Sequence, residues 1–400
     1  MNENLFLDAL ADNNSLVPVR AEAQIVTQWP DKSVVASNGI DVGEYERLGF
    51  CKRETLSTPR PLQYLFWGGD DQDQLFPAYE QVVWNVKWNT QSIIVVHLEW
   101  ENGCGGTSRD WIVAESEQIA HDFILDIERK TNAPNESILV FSDGRWNRSR
   151  SLYQATTEAS FDDLVLSGEM KKTIRTEFSQ FLDSEEQYRR LGISWRRGAL
   201  FIGPPGNGKT HCVRALVNEL GISILYVQSL SHSYFTGEQL WQRVFDRARQ
   251  LKPCVLVLED LDSMVDDDNR SFFLNQLDGF EQNHGMIVLA TTNHPERIDV
   301  AIVDRPSRFD RKYHFDLPSV EERQVYLESW QKKLADETGW AQAEVKQVAA
   351  VTKGYSFAYL KELVISSVMA WMKNSDGAFS RILVAQAKHL HRQMKTELKG

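Results

Sequence analysis

Long apolar runs, paired cysteines and an excess of positive charge are all missing from this chain of 400 residues. The longest apolar stretch, residues 92–98, has the length of a strand and falls far short of the ~20 residues that a membrane-crossing helix needs, so no membrane span is expected. Lysine and arginine total 44 against 56 aspartate and glutamate, a net charge of −12. That balance disfavours an extended phosphate-binding surface, and no nucleic-acid partner is expected. The four cysteines (Cys51, Cys104, Cys212, Cys254) form no C-x-x-C pair, which argues against a disulfide framework or a zinc ribbon. Cys212 and Cys254 read as small buried hydrophobes, and a reducing, cytoplasmic location is expected. The acidic first residues lack the basic start and apolar run of a secretory leader. No H-E-x-x-H protease signature occurs, and the only low-complexity segment, Asp266-Asp267-Asp268, reads as a solvated loop.

What is present is first of all a phosphate-binding loop. Gly203, Pro204, Pro205, Gly206, Asn207, Gly208, Lys209 and Thr210 fit G-x-x-x-x-G-K-[ST] at every constrained position. Residues 199–202 before them read as a short buried strand, and residues 210–220 after them as a helix. Glycines let backbone N–H groups curl around phosphates, and the helix N-terminus adds its positive partial charge. Lys209 is expected to reach the β- and γ-phosphates of ATP, and the Thr210 hydroxyl to ligate Mg²⁺.

Three regions separate along the chain. Residues 1–155 carry seven of the twelve tryptophans and read as a small α+β domain for a substrate or partner. Within it residues 81–88 and 92–100 form a hairpin around Asn89-Thr90, with Trp84, Val86 and Trp88 on one face. Residues 102–108 read as a Gly-rich turn, Ser116 caps a helix to residue 130, and residues 138–141 return as a strand. A polar linker is expected over residues 148–158. In residues 156–318 strands alternate with helices at α/β spacing: 199–202, 224–227, 254–258, 286–291 and 312–315. Residues 319–400 read as helical throughout, beginning with a capping box at Ser319 to Glu322.

A second segment narrows the chemistry. Val255-Leu256-Val257-Leu258 is a buried strand that ends in Glu259-Asp260, the Walker B pattern of apolar residues followed by two carboxylates. Glu259 takes the metal position and Asp260 the position of the base that polarises the attacking water. From about residue 161 onward the chain now resembles an AAA-type member of the AAA+ ATPases. Ala290-Thr291-Thr292-Asn293 is similar to the sensor 1 strand, which implies that Asn293 holds the lytic water. Arg305-Pro306-Ser307-Arg308-Phe309-Asp310-Arg311 resembles the second region of homology, which implies that Arg305 and Arg308 are arginine fingers. The segment from Leu274 to Phe280 is similar to the inter-subunit signalling segment. Gly354-Tyr355-Ser356-Phe357-Ala358-Tyr359-Leu360 resembles the start of the lid helix that takes the sensor 2 place. The segment around Asp163 and Leu164 resembles the one that packs against adenine.

The resemblance implies a P-loop α/β module, a parallel sheet with helices on both faces, followed by a helical lid and preceded by the α+β domain. It implies ATP and Mg²⁺ as cofactors and a homo-oligomeric ring, six subunits by analogy. The acidic pair departs from the usual Asp-Glu order, a swap similar to the Bcs1-like branch of the family, and Asp304 looks inserted before the fingers. Tyr234, Phe235 and Gly237 resemble an aromatic-x-Gly pore loop that grips a polypeptide; the alternative is that both rings pack at a helix start. The expected function is an ATP-driven remodeller of a protein client. A scaffold ring with little turnover and a nucleic-acid remodeller remain the alternatives.

Overall fold

The computed structural model describes residues 16–37, 39–56, 62–67, 75–101, 106–132, 136–166, 168–233, 235–279, 283–303, 305, 308–373 and 378–397. The chain divides into two compact units, Met1–Asn135 and Glu136–Gly400.

The first unit is built on an antiparallel sheet of β1 (Ser33–Ser37), β2 (Lys52–Thr55), β3 (Leu62–Trp67), β4 (Leu75–Trp88), β5 (Gln91–Glu101) and β6 (Gly106–Ala114), in the order β1-β6-β5-β4-β2 with β3 also on β4. Alternation along β4 and β5 sends side chains to two faces. Val82, Trp84, Val86, Ile93 and Val95 pack with Ala120, Phe123 and Ile127 of the helix Glu117–Asn132. Val83, Val96, Leu98, Trp111 and Val113 pack with Val17, Ala21 and Ile25 of the helix Val17–Gln28. The β4–β5 turn falls on Asn89, at φ 51°, where the sequence places it. Residues 102–105 of the expected Gly-rich turn lie outside the described residues, and β6 begins at Gly106.

The second unit holds a seven-stranded sheet: β7 (Ile138–Ser142), β8 (Arg145–Ser149), β9 (Arg196–Ile202), β10 (Ser223–Val227), β11 (Cys254–Leu258), β12 (Met286–Thr292) and β13 (Arg311–His314), in the order β13-β9-β12-β11-β10-β7-β8. The structure moves the expected boundary at 155/156 to 135/136. Residues 138–142 do not return to the N-terminal sheet; they pair in parallel with β10, Leu139 against Leu225 and Phe141 against Val227. The expected linker is ordered structure. It forms β8, antiparallel on β7, and the helix Arg150–Thr157, capped by the Ser149 side chain. Asn218 then holds the chain by donating to the carbonyls of Thr157 and Ala159 at 3.2 and 3.3 Å.

Both faces of the sheet are covered, as continuous apolar strands require. Leu200, Leu225, Leu256 and Val288 pack toward Trp241, Phe245 and Phe273 on one side. Phe201, Val255, Val257 and Leu289 pack toward Cys212, Val213 and Leu216 on the other. Among the described residues four helices come after the sheet, Val320–Thr338, Gln342–Val351, Phe357–Lys373 and Phe379–Glu397, with a core of their own that includes Leu327, Trp340, Val345, Tyr355, Leu360 and Leu383. The first opens on a capping box, Ser319 with Glu322.

Candidate nucleotide site

β9, β12, β11 and β10 lie side by side and parallel, so their carboxyl ends share one edge of the sheet. Ligands of open α/β sheets bind outside that edge. The phosphate loop follows β9, Asn293 follows β12, and Glu259 with Asp260 follows β11.

The loop has the backbone that its glycines permit. Gly208 caps the helix Lys209–Leu220 at φ 91°, and a Cβ there would meet Leu164 Cδ2 at 3.1 Å. Gly206 stands at φ 79°, where a Cβ would lie 2.6 Å from Ala358 Cβ and 2.9 Å from Ser356 Oγ. The Ala358 N–H donates to the Gly206 carbonyl at 3.0 Å, so the start of the helix Phe357–Lys373 is bonded to the loop itself. Pro204 and Pro205 are exposed at the loop's tip, Asn207 is buried, and Thr210 is half-buried in the first helical turn. Leu164 is buried against the base of the loop, whereas Asp163 beside it is exposed.

The structure brings three of the expected residues into one chain of hydrogen bonds. Lys209, a buried residue, donates through Nζ to the carbonyls of Gly203 at 2.6 Å and Pro204 at 3.0 Å and to Asn293 Oδ1 at 2.7 Å. Asn293 Nδ2 donates to Asp260 Oδ1 at 2.8 Å. Burial pulls the Lys209 amine below its usual range, opposed by the charges of Asp260 and Asp262. Asp260 adopts the left-handed conformation, φ 54° and ψ 53°, which a side chain with a Cβ avoids at a cost of about 1–2 kcal/mol. Its N–H donates to Thr291 Oγ1 at 3.0 Å, and the Asn293 bond holds the side chain; together they stabilise the conformation.

Glu259 is held differently. Its Oε2 accepts from the Tyr226 hydroxyl at 2.6 Å, while its buried Oε1 has no hydrogen-bond partner. Burial, then the Glu259 carboxylate, pushes the Tyr226 phenol well above its usual range and keeps it a neutral donor. A buried acceptor without a donor costs about 1–3 kcal/mol, and a hydrated divalent cation would satisfy it. Glu259 and Thr210 thus fit the chemistry of an Mg²⁺ site, oxygen donors that leave the ion its waters.

The two expected fingers part company. Arg305 is exposed, and its Nη1 donates to Asp278 Oδ2 at 3.2 Å. Arg308 is buried and forked onto Asp278, Nε to Oδ1 at 2.9 Å and Nη2 to Oδ2 at 2.6 Å, with Nη1 on the Ala301 carbonyl at 2.5 Å. Three of the five N–H donors of its guanidinium are thus engaged within its own chain, which sets it apart from Arg305. Asp304, Pro306 and Ser307 lie outside the described residues.

Of the three expected pore-loop residues the structure describes two, Phe235 and Gly237. Tyr234 lies outside the described residues. Phe235 does not project: its ring lies 4.6 Å from that of His232, with the Arg243 guanidinium 3.9 Å from its centroid, and it packs against the main core. The β7–β8 turn closes the pocket, because a Cβ on Gly144 would come within 3.0 Å of Phe235. Gly237 begins the helix Gly237–Gln250 and is required by the approach of Asn269, 2.9 Å from its would-be Cβ.

The family "ATPase family associated with various cellular activities (AAA)" matches residues 199–317, a span that contains the loop, both carboxylates, Asn293 and Arg305. The chain carries an AAA-type ATPase domain. Such a domain binds ATP with Mg²⁺ and hydrolyses it. The chain is similar to proteins named ATP-dependent zinc metalloprotease FtsH: 35% identity in Marinobacter nauticus, covering 54% of this chain and 36% of the relative, and 37% in Acidothermus cellulolyticus, covering 48% and 31%. A protein named ATP-dependent zinc metalloprotease YME1 homolog from Schistosoma mansoni is 31% identical over 56% of this chain and 35% of its own length. The chain therefore spans about a third of the length of these relatives.

Reading the sequence missed three residues around the AAA site. Tyr226 is on β10, and only the parallel register, Tyr226 opposite Val257, reveals that it shares a face with the residue two positions on, Glu259. Thr291 lies within the sensor 1 segment, and nothing in the motif signals that its hydroxyl carries the Asp260 N–H. Asp278 lies within the signalling segment, and a lone aspartate gives no sign that two arginines converge on it.

Proposed function

We propose that this protein hydrolyses ATP to remodel other proteins, as a closed ring of identical subunits, six by family resemblance. The observation that carries the reading is the chain Lys209–Asn293–Asp260 at the carboxyl ends of β9, β12 and β11. Lys209 occupies the place of the phosphates by binding the loop's own carbonyls, and it would exchange those carbonyls for phosphate oxygens. Asn293 links it to the base and is placed to hold a water against Asp260, whose carboxylate accepts the proton. Bound Mg²⁺ would neutralise charge on the transferred phosphoryl group. Arg305, the exposed arginine of the pair, supports a guanidinium donated across a subunit boundary.

The relatives' names add proteolysis in an ATP-dependent zinc enzyme. The chain has no H-E-x-x-H segment, and among the described residues no cluster of His, Cys, Asp and Glu could hold a metal ion. The proposal therefore concerns remodelling alone. It places the ring in the cytoplasm, a reducing compartment, on the buried unpaired thiols of Cys51, Cys212 and Cys254, which burial pushes up to about 11, 12 and 12. No helix among the described residues is long and apolar enough to cross a membrane.

The test is ATP turnover and client capture with Asp260→Asn. Turnover is expected to fall about 10²–10⁴-fold, as for loss of a general base, with ATP still bound. Proteins that co-purify with Asp260→Asn and not with Lys209→Ala would be the clients. Turnover that survives the substitution removes the base assignment, and a wild type that binds ATP without turnover favours the scaffold ring.

A further inference from the structure

In the swapped acidic pair the metal-side residue is a glutamate, one methylene longer than the aspartate that the family resemblance puts first. The added bond gives the carboxylate more positions to occupy, and an outer partner is the general means of restricting a ligand of this kind. Tyr226 supplies one. It lies opposite Val257 in the parallel register, on the face that packs toward the helix Lys209–Leu220, and Glu259 continues that face two residues on. Its hydroxyl donates to Glu259 Oε2 at 2.6 Å, and Oε1 is left without a partner. The base, Asp260, has separate holders in Thr291 and Asn293, so each carboxylate of the pair is fixed independently.

We infer that Tyr226 is a positioning residue for the divalent cation: its hydroxyl tethers one oxygen of the longer Glu259 carboxylate and leaves the other open to the hydrated ion. The inference rests on the ATPase reading above and deepens it. Tyr226 acts through Glu259 and touches neither nucleotide nor reacting atoms. Tyr226→Phe removes the hydroxyl and keeps the ring.

The test uses the full chain with ADP and Mn²⁺ as the probe, followed by electron paramagnetic resonance. In Tyr226→Phe the Mn²⁺ affinity of the ADP complex is expected to weaken about 10–100-fold, the usual cost of losing an outer-shell partner. ADP affinity measured in EDTA should stay within about 2-fold. The half-saturating Mg²⁺ concentration for turnover should rise, with KM for ATP at saturating Mg²⁺ little changed. The same substitution in a Glu259→Asp background should have an effect of less than about 2-fold, because the shorter side chain does not reach the hydroxyl. A full-sized effect in that background, or unchanged Mn²⁺ affinity in Tyr226→Phe alone, overturns the positioning role. A wild type that binds neither ADP nor Mn²⁺·ADP overturns the ATPase reading and this inference with it.

Discussion

In the parallel sheet the central strands β11 and β12 are buried along their whole length, whereas the antiparallel sheet of the N-terminal unit carries His97 and Asp110 opposite each other within β5 and β6. The parallel sheet is covered on both faces, so its polar groups collect beyond the strand ends, and there they keep unfinished bonding: Glu259 Oε1 has no partner and Lys209 borrows carbonyls from its own loop. In the antiparallel sheet the buried charge is fully engaged. His97 Nδ1 meets Asp110 Oδ1 at 2.8 Å, Asp110 Oδ2 accepts from the Ile40 N–H at 2.9 Å, and the His97 ring lies 5.9 Å from that of Trp84. Burial alone would lower the His97 pKa, but bonding to Asp110 and Glu99 outweighs it and the group is pushed up to about 9. Satisfied buried charge serves stability, and unsatisfied buried charge marks a place for a ligand.

The comparison is broken most directly at the two arginines on Asp278. Arg305→Ala should lower turnover about 10³-fold, the effect of an arginine finger, with the melting temperature nearly unchanged. Arg308→Ala should instead destabilise the fold by about 3 kcal/mol, because it removes a buried guanidinium and its fork onto Asp278, and chemical denaturation reads this directly. An Arg308→Ala protein as stable as wild type would return Arg308 to the exposed class.

The next test is in the other sheet. Because the folded pKa of His97 is raised above its unfolded value near 6.5, its contribution is fully present below about pH 6.5 and is lost as pH rises through about 9. The loss amounts to about 3 kcal/mol, and His97→Gln should flatten the profile between those limits. A stability profile identical in wild type and His97→Gln would show the pair to be unimportant. The smallest effect is expected at Phe235. Phe235→Ala should cost about 1–2 kcal/mol of stability through lost packing on His232 and Arg243 and leave ATP turnover without client intact. Unchanged stability together with failed client processing would support the pore-loop reading.

The parallel sheet was legible because each buried strand is a short apolar run closed by a motif: Leu258 by Glu259-Asp260, Ile202 by the glycine loop, Thr292 by Asn293. Its extension was not. β7 was recognised as a strand, but nothing local distinguishes pairing with β10 in parallel from returning to the N-terminal sheet, since register and partner are set by tertiary packing. Within the N-terminal unit the β4–β5 hairpin was plain from alternation about Asn89, while β1, β2 and β3 were too short or too mixed to signal themselves. The site residues emerged from their motif positions. Their contacts did not: Arg308 looks no different from Arg305 in sequence, and the fork onto Asp278 joins residues 30 positions apart.

The bond between Ala358 N–H and the Gly206 carbonyl gears the two ends of the ATPase unit together. Phosphates that re-aimed the loop's peptide groups would turn the Gly206 carbonyl, which could move only by carrying Ala358 along or forfeiting a hydrogen bond of about 1 kcal/mol. Ala358 stands in the first turn of a 17-residue helix, roughly 25 Å long. A tilt of a few degrees at that pivot becomes a displacement of an ångström or more at the far end, so the bond acts as the short arm of a lever.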